Sequence, residues 1–179
     1  WSSDPAALAA CHEDISRADI VLAAMLFLEE HIRAVLPALA ARRDGCDAML
    51  CIMSAGEVMR LTRLGRLDMG AEATGLMGLL KRLRGSKGAG NGSSSGKMQM
   101  RMLRDLPKLL RFIPGTAQDL RAYFLALQYW LAGSPVNLAN LVRMLVNRYA
   151  GGPRARLVGT LKVGAPESYP DVGLYHPRL

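Results

Sequence analysis

Two short apolar runs decide the fold, residues 18–26 (ADIVLAAML) and residues 47–53 (DAMLCIM). Neither run alternates apolar with polar residues, and continuous apolarity is typical of parallel strands that are covered on both faces. A segment of helical character, residues 27–44, separates them, and another, residues 54–65, follows. The order strand, helix, strand, helix predicts a parallel βαβ unit with a right-handed crossover.

The predicted fold class is α/β followed by mainly α, with a partial Rossmann-like βαβ unit leading into helical hairpins. Two strands are too few for a stable sheet. Because the chain starts with Trp1 and ends without a helix or strand, we expect a slice of a longer protein whose remaining strands lie upstream. The expected organisation is a partial α/β unit (1–72), a helix (73–84), a Gly/Ser-rich flexible linker (85–97), a helical segment (98–150) and an extended tail (151–179) leading into a missing downstream domain.

The linker GSKGAGNGSSSGK (85–97) is not a phosphate-binding loop. Such a loop needs a glycine four spacers before Gly-Lys-Ser/Thr, between a strand and a helix. Asn91 occupies the glycine position, and Met98, which follows Lys97, has no hydroxyl for a magnesium ion. A composition this rich in glycine and serine predicts a flexible tether.

Helix-start signals divide the rest of the chain. Asp4 precedes Pro5 as an N-cap before a first-turn proline, and Ser134 precedes Pro135 in the same way. Further caps are predicted at Thr116, with Asp119 three residues on, and at Ser54, with Glu57 completing a capping box. Gly133 should end the helix before Ser134, so residues 116–150 should form an antiparallel helical hairpin.

The cysteines and the lengths of the apolar runs indicate the cellular location of the protein. The three cysteines, Cys11, Cys46 and Cys51, form no CxxC pair, which favours a reducing cytoplasm and buried thiols over metal ligation. No signal peptide is visible, and no apolar run approaches the roughly 20 residues of a membrane span.

The net charge of +8 is concentrated in residues 81–112, which hold nine basic residues and one acidic residue. Five of them are spaced in steps of four and three, which aligns them on one face of a helix. This basic stripe consists of Lys97, Arg101, Arg104, Lys108 and Arg111. It is a solvated helix face, a docking surface for an acidic partner or ligand, or a nucleic-acid contact. No aromatic residue interleaves with it as single-strand stacking requires, so nucleic acid is the least favoured interpretation.

Ligands of open parallel sheets bind beyond the carboxyl ends of the strands. Those ends should present Glu29 and His31 after the first strand, and Glu57 and Arg60 after the second. Two interpretations are open. Glu29 is a first-turn carboxylate favoured by the helix dipole and Glu57 only a cap, or His31 and Glu29 belong to a ligand or metal site. Trp130 lies at core spacing on its helix but has the ring to stack on a flat ligand. No self-sufficient catalytic grouping and no metal-ligand spacing is present.

Several stretches resemble one known family. They are ADIVLAAMLFLEEH (18–31), IMSAGEVMRLTRLGRLDM (52–69), LRDLPKLLRFIPGTAQDLRAYFLALQYWLAGSPVNLANLVRMLVNRYA (103–150) and YPDVGLYHP (169–177). Together they are similar to the large, porphyrin-binding (H) subunit of magnesium chelatase, with the large subunit of cobaltochelatase as the close alternative. Most of the chain is covered in one order.

The resemblance implies an N-terminal region of a metal-inserting ligase of chlorophyll or bacteriochlorophyll synthesis in photosynthesis. The large subunit of that family holds protoporphyrin IX while Mg²⁺ is inserted, and ATP is hydrolysed by two smaller subunits, at least one an AAA+ ATPase. It implies that the partner subunits bind the ATP, that this chain alone is inactive, and that the catalytic centre lies mostly downstream of Leu179, so no catalytic residue is placed in the chain. The predicted location, from the cysteines, is the cytoplasm. Arg101, Arg104, Lys108, Arg111 and Trp130 would then contact porphyrin or a partner subunit. The rival class is a non-catalytic head module that docks partners.

Overall fold

The computed structural model describes residues 4–71, 107, 110 and 115–167. Over these residues the chain forms a four-stranded sheet in the order β1-β2-β3-β4, with helices on both faces. The α/β class followed by helices, predicted above, is confirmed. The predicted helix 73–84, the linker 85–97 and the basic stripe lie outside the described residues.

The two apolar runs form the strands β1 (Ile20–Ala24) and β2 (Ala48–Ile52), which pair in parallel with Ile20 opposite Ala48. All five residues of β2 are buried, as its continuous apolarity predicted. Alternate side chains point to opposite faces of a strand, so β2 contributes Leu50 to one core cluster and Met49 to the other.

The predicted second helix is wrong over most of its length. Only Gly56–Met59 is helical (α3), and the chain then turns into two short antiparallel strands, β3 (Arg63–Leu64) and β4 (Leu67–Asp68). The turn uses Gly65, whose φ of 55° is a left-handed conformation that glycine adopts without a steric penalty. These strands extend the sheet from downstream, whereas the remaining strands were expected upstream.

A buried threonine explains why the chain leaves the helical path after α3. The Thr62 hydroxyl accepts from the Cys51 N–H and donates to the Cys51 carbonyl, both at 3.1 Å. Because Thr62 is fully buried, this pair of hydrogen bonds to the backbone of β2 fixes the position where β3 begins beside it. Side-chain bonding of threonine to backbone groups competes with regular helix bonding.

Helices α1 (Pro5–Arg17) and α2 (Glu29–Arg42) cover one face of the sheet. The predicted start of α1 is confirmed, because Asp4 Oδ1 accepts from the backbone N–H groups of Ala6 and Ala7 at 2.9 and 3.3 Å. Cys46 and Cys51 are buried as predicted, while Cys11 is only partly buried.

The other face is covered by the predicted hairpin of α4 (Thr116–Ala132) and α5 (Pro135–Tyr149). Gly133 ends α4 in the left-handed conformation, and Ser134 Oγ caps α5 by accepting from Asn137 N–H at 3.1 Å, as predicted. The predicted cap at Thr116 is wrong. The cap position is Gly115, with φ 80°, and no side chain bonds there.

After α5 a 3₁₀ helix (Gly152–Leu157) reverses the chain, and residues 158–167 run back along α5. The 3₁₀ helix lies within the range predicted as an extended tail. No helix among the described residues is long and apolar enough to cross a membrane.

Candidate functional site

The carboxyl ends of the two parallel strands are joined by a strained crossing of the backbone. Met25, directly after β1, has φ 63°, and Met53, directly after β2, has φ 47°. Non-glycine residues at such angles are uncommon and cluster at functional sites. Met25 N–H donates to the Met53 carbonyl at 3.0 Å, so the two strained residues hold each other.

Ser54 joins the same two loops and is not a helix cap. Its hydroxyl accepts from Leu26 N–H at 3.1 Å and donates to the Ile52 carbonyl at 3.0 Å. The cap position of α3 is Ala55, with no side-chain hydrogen bond, so the predicted capping box of Ser54 and Glu57 is wrong. The box fails because the Ser54 hydroxyl is already committed to the first strand end.

The sequence placed four candidate ligand side chains at this edge. Glu29 and His31 lie in the first turn of α2, and Glu57 and Arg60 lie in α3 and at its end. Glu29 forms an exposed ion pair with Arg33, one turn further on. A second contact joins Glu30 Oε1 and His31 Nε2, which lie 3.6 Å apart.

Glu57 and Arg60 are exposed. Within the described part of the chain, no three His, Cys, Asp or Glu side chains are grouped so that they could hold a metal ion. The carboxyl edge therefore presents surface charges around a rigid backbone crossing, and a role for the four side chains stays a prediction.

An apolar turn lies beside those charges and was missed by sequence reasoning. Met25, Phe27 and Leu28 are each more than half exposed, at 54, 55 and 56%. They belong to the apolar run that predicted β1 or directly follow it, and that run carries no signal for where the strand stops. The left-handed Met25 ends the strand and directs the next residues outward.

Of the five residues predicted to contact porphyrin or a partner, the structure describes one. Trp130 is partly buried against the core cluster of the α4–α5 hairpin. Arg101, Arg104, Lys108 and Arg111 lie outside the described residues.

A buried carboxylate, Asp119, ties the sheet to the hairpin. Asp119 is 9% exposed and accepts from Arg66 N–H at 2.9 Å and from the Tyr149 hydroxyl at 3.0 Å. Arg148 Nη2 lies 3.9 Å from its Oδ1. Burial and then the Asp119 charge raise the pKa of Tyr149, so the phenol stays protonated as the donor. An acid in the first turn of a helix is common, so the sequence carried no signal for this role.

Comparison with known proteins bears on the origin of the chain. The model of a family described as a domain of unknown function, DUF3479, matches residues 1–124. The chain belongs to the DUF3479 family. The match covers α1 to β4 and reaches into α4, so it spans both faces of the sheet.

This DUF3479 chain is also similar to curated proteins along its whole length. It is 53% identical over 180 residues to the magnesium-chelatase H subunit of Cereibacter sphaeroides and 50% identical over 179 residues to that of Rhodobacter capsulatus. It is 34% identical over 92% of its length to the chloroplastic magnesium-chelatase subunit ChlH of Oryza sativa subsp. indica. The chain spans 15% of the first two relatives and 12% of the third. The predicted resemblance to the magnesium-chelatase large subunit is confirmed.

Proposed function

We propose that this chain is part of the porphyrin-binding large subunit of a magnesium chelatase. The observation that carries the proposal is 53 and 50% identity, over the whole chain, to proteins named as the H subunit of magnesium chelatase. The complete enzyme inserts Mg²⁺ into protoporphyrin IX for chlorophyll or bacteriochlorophyll synthesis. Two smaller subunits, including an AAA+ ATPase, hydrolyse the ATP.

Within that large subunit, the basic stripe takes the carboxylates of porphyrin or of a partner subunit. Arginine and lysine suit this role as charge-assisted donors to carboxylates. Arg101, Arg104, Lys108 and Arg111 form the charged contact, and Trp130 adds an aromatic face. Glu29, His31, Glu57 and Arg60 line a second, strand-end crevice. The chain alone inserts no metal and binds no ATP.

The test is reconstitution of the complete large subunit with its two smaller subunits, ATP, Mg²⁺ and a soluble porphyrin. The wild-type enzyme should insert Mg²⁺, and Arg101→Glu/Arg104→Glu/Lys108→Glu should lower the rate at least ten-fold. A matched control, Arg17→Glu/Arg154→Glu/Arg156→Glu, reverses three exposed charges elsewhere and should retain the rate. A parallel reaction that offers Co²⁺ in place of Mg²⁺ tests the cobaltochelatase alternative, which insertion of Co²⁺ without insertion of Mg²⁺ would support.

A porphyrin titration distinguishes whether the basic stripe contacts porphyrin or docks a partner subunit. Porphyrin is added to the 179-residue chain, and the Soret band and tryptophan fluorescence are followed. Saturable binding that the triple variant loses supports a porphyrin contact in the stripe. A flat titration from a folded chain assigns the stripe to partner docking, which is the head-module alternative.

The proposed location is the cytoplasm. The name of the Oryza sativa relative places that protein in the chloroplast, whereas the two bacterial names carry no location. Fractionation of the source cells, with an antibody to the chain, tests this placement.

A further inference from the structure

A cavity of about 440 Å³ lies between α5 and the returning segment, away from the strand ends. Its lining contains two cationic side chains, one amide and no acidic residue among the described residues. The lining residues are Asn140, Arg143, Leu161, Lys162 and Gly164.

The amide of Asn140 is fixed with its donors available. Asn140 is 5% exposed, and its Oδ1 accepts from Gly164 N–H at 3.2 Å. Since that bond assigns the oxygen, the Nδ2 group, with two N–H donors, must point elsewhere. Among the described residues no acceptor contacts Nδ2, and the one buried side-chain nitrogen or oxygen without a partner is Arg148 Nε. The Asn140 Nδ2 donors therefore remain accessible from the cavity.

The backbone at Gly164, which lines the cavity, is hydrogen-bonded through both its carbonyl and its N–H group. The Gly164 carbonyl accepts from the Tyr129 hydroxyl, while its N–H is bound by Asn140. A Cβ at position 164 would lie 3.1 Å from Asn140 Nδ2, so the absence of a Cβ in glycine provides the space that this amide occupies. The donors are thus preorganised, which lowers the ordering cost of binding.

Two positive charges complete the site. Arg143 lies one turn after Asn140 on the same face of α5, and Lys162 faces it from the returning segment. Within the described residues neither forms an ion pair. Leu161 adds an apolar side to the same cavity.

We propose that this cavity binds a carboxylate carried on a short aliphatic arm. The cationic and amide donors match the acceptor-only chemistry of a carboxylate, and Leu161 contacts the methylene groups of the arm. A free phosphate would leave that apolar side without a partner. A propionate side chain of a tetrapyrrole and a glutamate side chain of a protein share this group. The carboxylate site does not depend on the chelatase proposal, although its tetrapyrrole source does.

The first test uses propionate and its neutral analogue propionamide, added to the ¹⁵N-labelled chain at constant ionic strength. The dispersed amide spectrum establishes that the sample is folded. Propionate should shift the Asn140 side-chain NH₂ signals saturably, and propionamide should not. Arg143→Gln and Lys162→Gln should each weaken the apparent affinity at least three-fold, whereas Arg156→Gln, an exposed control, should leave it unchanged. Equal shifts with propionate, propionamide and chloride would overturn the proposal.

The second test distinguishes the two sources of the carboxylate in the complete large subunit. A porphyrin with free propionates is compared with its dimethyl ester in wild type and in Arg143→Gln/Lys162→Gln. A variant that weakens binding of the free acid, but not of the ester, identifies a tetrapyrrole propionate as the ligand. Unchanged porphyrin binding, together with a propionate response in the first test, assigns the site to a protein carboxylate. A wild-type subunit that binds no porphyrin would contradict the chelatase proposal and leave the first test as the measure of this site.

Discussion

Asp119 is the residue on which the contact between sheet and hairpin depends. Its two oxygens accept from the β3–β4 turn at Arg66 and from α5 at Tyr149. The Cβ of any other residue at Gly65 would lie 2.8 Å from Asp119 Oδ2, so the turn approaches the carboxylate as closely as glycine permits. One carboxylate therefore sets the position of three elements.

The substitution Asp119→Asn should lower the free energy of unfolding by about 1–3 kcal/mol. The amide NH₂ group would face one of the two donors that Asp119 now accepts from, Arg66 N–H or the Tyr149 hydroxyl, and a buried donor would be left unsatisfied. Urea denaturation measures it. Asp14→Asn, at an exposed position in α1, is the control and should change stability by less than about 0.5 kcal/mol. Equal effects of the two substitutions would show that the Asp119 contacts contribute nothing net.

Asp68 makes stability depend on pH. Burial opposes its ionisation, but the N–H groups of Ala71 and Gly70 and the Arg43 guanidinium outweigh burial and lower the pKa of Asp68 below 3.8. A lowered folded-state pKa contributes stability that is present above the unfolded value, near 3.8, and is lost as the pH falls through the folded value.

Asp68→Asn should therefore lower the free energy of unfolding by about 1 kcal/mol at pH 7, a modest value because the side chain is one-third exposed. The difference from wild type should shrink as the pH falls below 3.8. Urea titrations at several pH values between about 2.5 and 7 measure it. A difference that stays constant with pH would contradict the assignment to charge.

At the scale of elements, three asparagines of α5 hold the returning segment. Asn137 binds both backbone groups of Glu167, at 2.9 and 3.0 Å. Asn140 accepts from Gly164 N–H, and Asn147 accepts from Leu161 N–H at 3.0 Å. This asparagine ladder places polar side chains on a helix face and replaces the strand partner that an extended segment otherwise lacks.

Asn137→Ala should raise the hydrogen-exchange rate of the Glu167 amide at least ten-fold, because both bonds to that residue are lost while α5 remains folded. Hydrogen exchange followed by mass spectrometry or NMR measures the change. Val142→Ala, at an exposed position of the same helix outside the ladder, is the control and should leave the rate unchanged. A Glu167 rate that Asn137→Ala does not alter would show that the ladder does not hold the segment.

The elements that could be predicted are those with a local signal. Pro5 and Pro135 preceded by Asp4 and Ser134 specify helix starts through one side chain and its own next turn. The β3–β4 strands could not be predicted, because Thr62 bonds to Cys51, a long-range partner that no local pattern reveals. The proposed carboxylate site could not be predicted from the sequence for the same reason.

The donors of that site come from α5 and from a segment that contacts α5 only after the 3₁₀ helix reverses the chain. The candidate site at the strand ends was easier to place, since sheet topology alone brings Glu29 and Glu57 to one edge. Topology does not reveal which side chains are already paired, so the Glu29–Arg33 ion pair appeared only in the structure.

At the scale of the whole molecule, the sheet and the hairpin share one core. The larger cluster joins Leu50 and Ile52 of β2 to Leu120, Tyr123 and Phe124 of α4. All five are at most 1% exposed. The sheet also packs against α1 and α2 through the second cluster, but every hairpin residue found in either cluster belongs to the shared one. Because the hairpin is buried only against the sheet, we expect the two parts to unfold together.

Two probes test that cooperativity. Trp130 fluorescence in a Trp1→Phe background reports on the hairpin. Cys51 reactivity toward a thiol reagent, in a Cys11→Ala/Cys46→Ala background, reports on the sheet. Burial raises the pKa of Cys51 to about 12, so its thiol is unreactive until β2 opens.

The urea midpoints from the two probes should coincide. Leu120→Ala should lower both midpoints equally, and the free energy of unfolding from each probe should fall by about 2–5 kcal/mol. The residue is fully buried, so the substitution removes contacts to both sides of the shared core. Leu131→Ala, at a half-exposed position of the same helix, is the control and should change the free energy of unfolding from either probe by no more than about 0.5 kcal/mol. If Trp130 responds at lower urea than Cys51, the hairpin is a separate unit, and the shared core does not couple it to the sheet.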